Sequence, residues 1–263
     1  MQRFGMLHKS SRPIQRMYSF GRLQPTTSPD LALIRLAQAL RAAVLISCKL
    51  CLPLISLVFA GSAMAADLDI RDAYSPLNSS RPVRSKTRWL ILHTTEGGDS
   101  SAQREVRRRG LANYLVLRNG QVLRIIARQR EARHAGTSMW NGTKDLDRFS
   151  IGIEVVGYHN RGLTTAQEGA LRQLIEQLQS IYRLGDDAVL PHSMVAYGHP
   201  NRWHKKAHRG RKRCAMQFAR PDLRARIGLT SQPNHDPDVR AGRLIEADPE
   251  LAKVLFGHAK GQP

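Results

Sequence analysis

Leu111-Ala112-Asn113-Tyr114-Leu115-Val116-Leu117-Arg118-Asn119-Gly120-Gln121-Val122-Leu123-Arg124-Ile125-Ile126 carries two apolar runs divided by Asn119-Gly120. Asn-Gly between such runs is the strongest short-range hairpin signal, since both residues tolerate the positive φ of a tight turn. Outward from it, Trp89-Leu90-Ile91-Leu92 and Ser150-Ile151-Gly152-Ile153-Glu154-Val155-Val156 are short apolar runs of the kind that form buried strands. Ser100 to Arg109 is polar and helix-compatible, and Gln129 to Arg148 reads as a loop. Thr165 and Glu168 have capping-box spacing ahead of Leu171, Leu174, Ile175, Leu178, Ile181 and Tyr182, one apolar helix face that Gly185 closes. Strands alternating with helices around one hairpin predict an α/β (α+β) fold, a central mixed β-sheet flanked by helices in a single domain over 86–220. Residues 66–85 read as an extended entry segment, and 221–263 as a polar, weakly helical tail.

The first 65 residues read as an export signal. Residues 1–41 hold one acidic residue, Asp30, an apolar run broken by Lys49 spans 42–60, and Ala63-Met64-Ala65 gives the small-x-small pattern of a cleavage site. Cleavage after Ala65 leaves no stable membrane span and places the mature chain in the periplasm or outside the cell. That mature chain has 33 basic and 20 acidic residues, a net +13. The excess suits an anionic partner: nucleic acid, acidic lipid or a cell-wall polymer. Cys48 and Cys51 leave with the signal, so Cys214 has no disulfide partner in its own chain, and metal ligation is one reason to keep it.

A hydrolytic zinc site needs three protein ligands and one open position. His93 ends an apolar strand, where side chains converge on a cleft. The neighbours Arg211, Lys212 and Arg213 are expected to favour the Cys214 thiolate. His134, His192, His199, His204 and His208 each qualify as the third ligand, and spacing alone does not choose among them. Glu154 is a carboxylate inside an apolar strand, a costly placement unless it is paired or working.

His93-Thr94-Thr95 after an apolar strand, His134-Ala135-Gly136-Thr137-Ser138-Met139-Trp140, Ser150-Ile151-Gly152-Ile153-Glu154, His192 and Lys212-Arg213-Cys214 together resemble, in order, the amidase-2 family of N-acetylmuramoyl-L-alanine amidases. This superfamily includes phage lysozyme and the peptidoglycan recognition proteins. The resemblance covers roughly residues 86–220. It implies a Zn2+ cofactor held by His93, His192 and Cys214, with His199 as the fallback for the second histidine. It implies Glu154 as the catalytic acid–base and Lys212 as the stabiliser of the oxyanion. His134 and Trp140 fall in a cleft-lining loop where substrate contact is expected, a purely structural role being equally open for Trp140, while Tyr114 is expected to pack. Cys214 stands where many bacterial members have aspartate, which keeps a metal ligand. The stretch between His192 and Lys212 is enlarged. The implied substrate is peptidoglycan or a muropeptide, cut between N-acetylmuramic acid and L-alanine. A peptidoglycan-binding module without catalysis is one rival. A nucleic-acid-binding protein, suggested by Trp203 among basic residues, is the other; export and the donor set count against it, so no nucleic-acid partner is expected.

Overall fold

The computed structural model describes residues 68–257. The described residues all belong to one compact unit. The expected export signal lies outside the described residues.

Among the described residues eight strands run in chain order: β1 (Ile70–Asp72), β2 (Trp89–Thr94), β3 (Tyr114–Val116), β4 (Val122–Arg124), β5 (Met139–Trp140), β6 (Thr143–Lys144), β7 (Ser150–Val155) and β8 (Val189–Pro191). Six of them form one sheet in the order β1-β4-β3-β7-β2-β8. The hairpin pair β3–β4 is antiparallel, and the other neighbours are parallel. The helices are α1 (Asp99–Arg109), α2 (Thr165–Tyr182), the single turn α3 (His192–Val195), α4 (Pro221–Arg226), α5 (Pro237–Arg240) and α6 (Pro249–Phe256). The expected mixed sheet with flanking helices is the fold.

Gly120 has φ +86° in the hairpin turn, and a Cβ there would come within 2.8 Å of the Ala166 carbonyl oxygen. Only glycine meets both demands. A second Asn-Gly turn lies inside the expected loop: Asn141 and Gly142, both at positive φ, join β5 to β6. The cap of α2 is one residue earlier than the sequence suggested. Thr164 Oγ1 accepts from Gln167 N–H at 3.1 Å, and Gln167 Oε1 accepts from Thr164 N–H at 3.1 Å. The helix ends on Arg183 in the left-handed region rather than at Gly185.

Side chains alternate across β2 and sort into two cores. Leu90 and Leu92 join Ile151, Ile153 and Val155 of β7 beneath Leu171, Leu174, Ile175 and Leu178 of α2. Trp89 and Ile91 face the other way, toward Leu146, Leu190, Met194 and Leu251. Each such fully buried aliphatic contributes about 1.5–3 kcal/mol. Ala102 and Val106 of α1 pack on Leu115, Leu123 and Ile125 of the hairpin.

At both margins of the expected domain the structure adds packed residues. The entry segment supplies β1, an edge strand parallel to β4, and buries Arg81 and Arg84. Their guanidiniums donate to main-chain carbonyls, Arg81 to Arg109 at 2.8 Å and Arg84 to Ser150 at 3.0 Å. The expected polar tail is, over its described part, folded onto the body. Leu223, Ile227 and Leu229 join the α2 core, and Leu251 and Leu255 join the Trp89 core. Spaced singly among polar residues, these apolar side chains gave too short a pattern to reveal a packed face.

Candidate metal centre

The carboxyl ends of β7, β2 and β8 lie side by side, the usual place for a site in a sheet of this kind. His93 is the fifth residue of β2 and stands in register with Glu154 of β7. His192 follows directly on β8 as the first residue of α3. Cys214 comes from a distant loop and is seated by Thr94, whose N–H points at Sγ from 3.4 Å, while Ser193 N–H donates to the Cys214 carbonyl at 3.1 Å.

One ligand atom each from His93, His192 and Cys214 lie within 4.8 Å of one another. Sγ of Cys214 is 3.9 Å from Nδ1 of His93. Donors bound to zinc at about 2.0–2.3 Å in tetrahedral directions stand about 3.3–3.8 Å apart, so this spacing fits one ion. Two imidazoles and a thiol also suit zinc chemically, with a fourth position left over.

The imidazoles are prepared as ligands by the groups behind them. Ser150 Oγ has one hydrogen and donates it to the Leu146 carbonyl at 2.5 Å. Toward His134 Nε2, 3.3 Å away, it therefore acts as acceptor, so Nε2 carries the His134 proton. His134 Nδ1 is then an acceptor for His93 Nε2–H at 3.1 Å, which leaves the Nδ1 lone pair of His93 facing Cys214. His192 Nε2–H donates to the Ala135 carbonyl at 3.1 Å, which frees its Nδ1 in the same way. Such outer partners fix ligand tautomer and orientation. Burial holds His93 well below its ordinary pKa, helped by His192, His134 and Lys212. Burial also brings His192 down to about 4. Both rings are neutral at pH 7.

His134 fits because β7 has a glycine at that place. A Cβ on Gly152 would lie 2.4 Å from Cγ of the His134 ring. Asp147 Oδ1 holds the segment from below, accepting the N–H groups of His134 and Ala135 at 2.9 and 2.7 Å.

Glu154 Oε1 is 4.0 Å from His93 Nδ1, and the buried Oε2 has no hydrogen-bond partner among the described residues. Burial, then the charge of Glu96, push this carboxyl up to about 8. Glu96 follows the ligand strand at φ +53° and is held by Thr94 Oγ1 at 2.7 Å and His159 Nδ1 at 2.9 Å.

Several expected roles change here. His134 and Trp140 are buried, His134 behind His93 and Trp140 in the core. His199 is exposed, stacks on Tyr197 and lies outside the three-donor cluster. Lys212 is exposed, yet close enough for its charge to act on both His93 and His192. The basic neighbours do not make a thiolate of Cys214. Burial and Glu154 push the thiol up to about 12, while Arg213 is engaged by Asp248. Metal uptake here must therefore release a proton. Ser150, Asp147 and Glu96 carry no spacing signal. Gly152 carries one, since glycine inside a strand marks close approach.

Comparison with known proteins agrees with the motif order. The N-acetylmuramoyl-L-alanine amidase family, amidase-2, matches residues 83–215. The 1,6-anhydro-N-acetylmuramyl-L-alanine amidase AmpD of Enterobacter cloacae is 29% identical over 150 residues, 49% of this chain and 80% of that one. AmpD of Haemophilus influenzae is 30% identical over 86 residues, 32% of this chain and 47% of its own length, so the match spans about half of that relative. Among solved structures, the N-acetylmuramyl-L-alanine amidase AmiD from E. coli, in complex with anhydro-N-acetylmuramic acid-L-Ala-D-gamma-Glu-L-Lys, is similar at a TM-score of 0.40 and 24% identity, over 43% of this chain and 50% of that one.

Proposed function

The chain belongs to the amidase-2 family of N-acetylmuramoyl-L-alanine amidases, and from that premise we propose a zinc-dependent amidase that cuts the bond between N-acetylmuramic acid and L-alanine in peptidoglycan or its fragments. The observation that carries this reading is the three-donor cluster of His93, His192 and Cys214 beside an unpartnered buried carboxylate. The curated relatives are named for 1,6-anhydro-muramyl substrates, which makes anhydro-muropeptides the first to try.

When bound, zinc supplies a Lewis acid that polarises the amide carbonyl and acidifies water. The chain's own residues do the rest. His93 and His192 present neutral nitrogens whose direction is fixed from behind by His134 and the Ala135 carbonyl. Glu154 takes a proton from the attacking water and returns it to the departing nitrogen. Lys212 adds positive charge where the carbonyl oxygen becomes an oxyanion. The site works outside the cytoplasm in this reading, as the signal-like residues 1–65 suggest. Among the described residues no helix is long and apolar enough to cross a membrane.

The test is metal content and product mass on a defined anhydro-muropeptide. One zinc per chain and release of a peptide beginning with L-alanine are expected. Cys214→Ala should lose both, and Cys214→Asp, which restores a donor, should recover part of each. A wild-type protein that binds sacculi but releases no peptide would leave the non-catalytic binding module instead. Normal zinc and cleavage in Cys214→Ala would overturn the ligand set.

A further inference from the structure

Between its last two candidate donors, His192 and Cys214, the chain makes an excursion that the metal centre does not use. Gly198 and His208 close its base with a two-bond bridge, Gly198 N–H to the His208 carbonyl at 2.8 Å and the reverse at 3.0 Å. The His208 ring lies flat against this base, since a Cβ on Gly198 would be 2.4 Å from Nε2. Arg209, directly after it, is an anchor. Its buried guanidinium pairs with Asp236 and Asp238 and donates to the Val195 and Met139 carbonyls at 2.7 and 2.8 Å.

The tip is ordered by its own main chain. Asn201 Oδ1 accepts the N–H groups of Trp203 and His204 at 2.8 and 3.0 Å, and Asn201 N–H donates to the His204 carbonyl at 2.8 Å. The His204 ring stacks on His208 with centroids 4.2 Å apart. This fixed finger holds Trp203 outward, 74% exposed, with the Arg202 guanidinium 4.5 Å over its indole. Around it Arg202, Lys205, Lys206, Arg211 and Lys212 are exposed, and among the described residues none is within ion-pair distance of a carboxylate. An indole with an apolar face, ringed by uncompensated cations, matches a polymer that offers sugar faces and carboxylates together. Pre-ordering the tip lowers the entropy that binding would otherwise cost.

We propose that the finger, residues 199–206, docks the glycan strand of polymeric peptidoglycan, with Trp203 stacked on a sugar ring and Lys205 and Lys206 paired with carboxylates of the attached peptides. This rests on the amidase reading of the neighbouring centre. The finger starts seven residues after His192 and ends eight before Cys214, so the chain tethers its base to two of the three donors on both sides. Because it contributes no donor to the centre, its work is capture.

The test uses the full chain in a Glu154→Gln background, so that sacculi survive the binding measurement. Adding Trp203→Ala, Lys205→Ala and Lys206→Ala should weaken sacculus binding by about tenfold or more, as expected for a central tryptophan with its cations. It should also flatten the salt dependence. Trp203→Phe alone should keep most of the binding. In the wild-type background the triple variant should turn over a soluble anhydro-muropeptide at the parent's rate. Unchanged sacculus binding, an equal loss of soluble turnover, or loss of duplex DNA binding with sacculus binding intact would each overturn the proposal. A parent that cleaves no muropeptide but still binds sacculi through the finger would refute the amidase reading and leave the docking surface standing.

Discussion

Gly152→Ala adds one methyl group at the point where β7 passes beneath His134. The new Cβ would stand 2.4 Å from Cγ, 2.6 Å from Cδ2 and 2.8 Å from Cβ of that side chain. Ordinary contact requires the ring to retreat by about 1 Å or more, and overpacking of this kind costs about 1–3 kcal/mol. The retreat also breaks the 3.1 Å bond to His93 Nε2, which leaves a buried donor unpaired at a further cost of about 1–3 kcal/mol. Denaturant unfolding of the metal-free variant should therefore show a loss of about 2–6 kcal/mol. Zinc affinity should fall by about 10–100-fold, the usual effect of losing an outer partner of a ligand. Gly152→Ala combined with His134→Ala removes the clashing ring, so the double variant should be less destabilised than the two single losses added together. Gly152→Ala with native stability and native zinc affinity, or a strictly additive double variant, would refute the claim that His134 is wedged behind His93.

Three further expectations follow from the same geometry. Glu154→Gln should keep zinc while kcat falls by about 10²–10⁴, measured on a soluble muropeptide. In the metal-free protein the Glu154 carboxyl, pushed up to about 8 from 4.5, holds its proton more tightly folded than unfolded. Its stabilisation is thus full below about 4.5 and lost as pH rises through 8; between pH 6.5 and 8 the unfolding free energy of wild type should drop by about 2 kcal/mol relative to that of Glu154→Gln, the contribution of the lowered buried histidines being common to both. Arg209→Ala leaves buried Asp236 without its cation and Asp238 with Arg243 alone, and should cost about 3–5 kcal/mol, read as a lower denaturation midpoint; a change under about 0.5 kcal/mol would mean that Asp236 finds another partner.

Much of the sheet was legible because its signals are local. Asn119-Gly120 specifies its turn by φ, and the apolar runs of β2 and β7 are buried on both faces. The candidate site was legible differently. Spacing left five histidines open, and only the ordered motifs singled out the three residues whose donor atoms the fold brings within 4.8 Å. What the sequence hid depends on tertiary approach. His134 reads as a loop residue until Gly152 gives it a place behind β2, and Arg209 reads as one cation in a run until two aspartates 27 and 29 residues later enclose it. The thiol was misread because sequence neighbours are not spatial ones; Arg213 turns to Asp248, and burial sets the titration of Cys214.

The buried Arg209 cluster separates the unit of kinship from the unit of folding. The family match stops at residue 215, one position after the last donor, yet the carboxylates that neutralise Arg209 and the leucines that complete the Trp89 core come from 236–255. A chain cut at the edge of the shared region would retain every candidate ligand while stranding a guanidinium and opening an apolar face. The candidate ligands lie inside the family match while their support comes from α5 and α6 beyond it, so an exchange of chain at that border would part the one from the other.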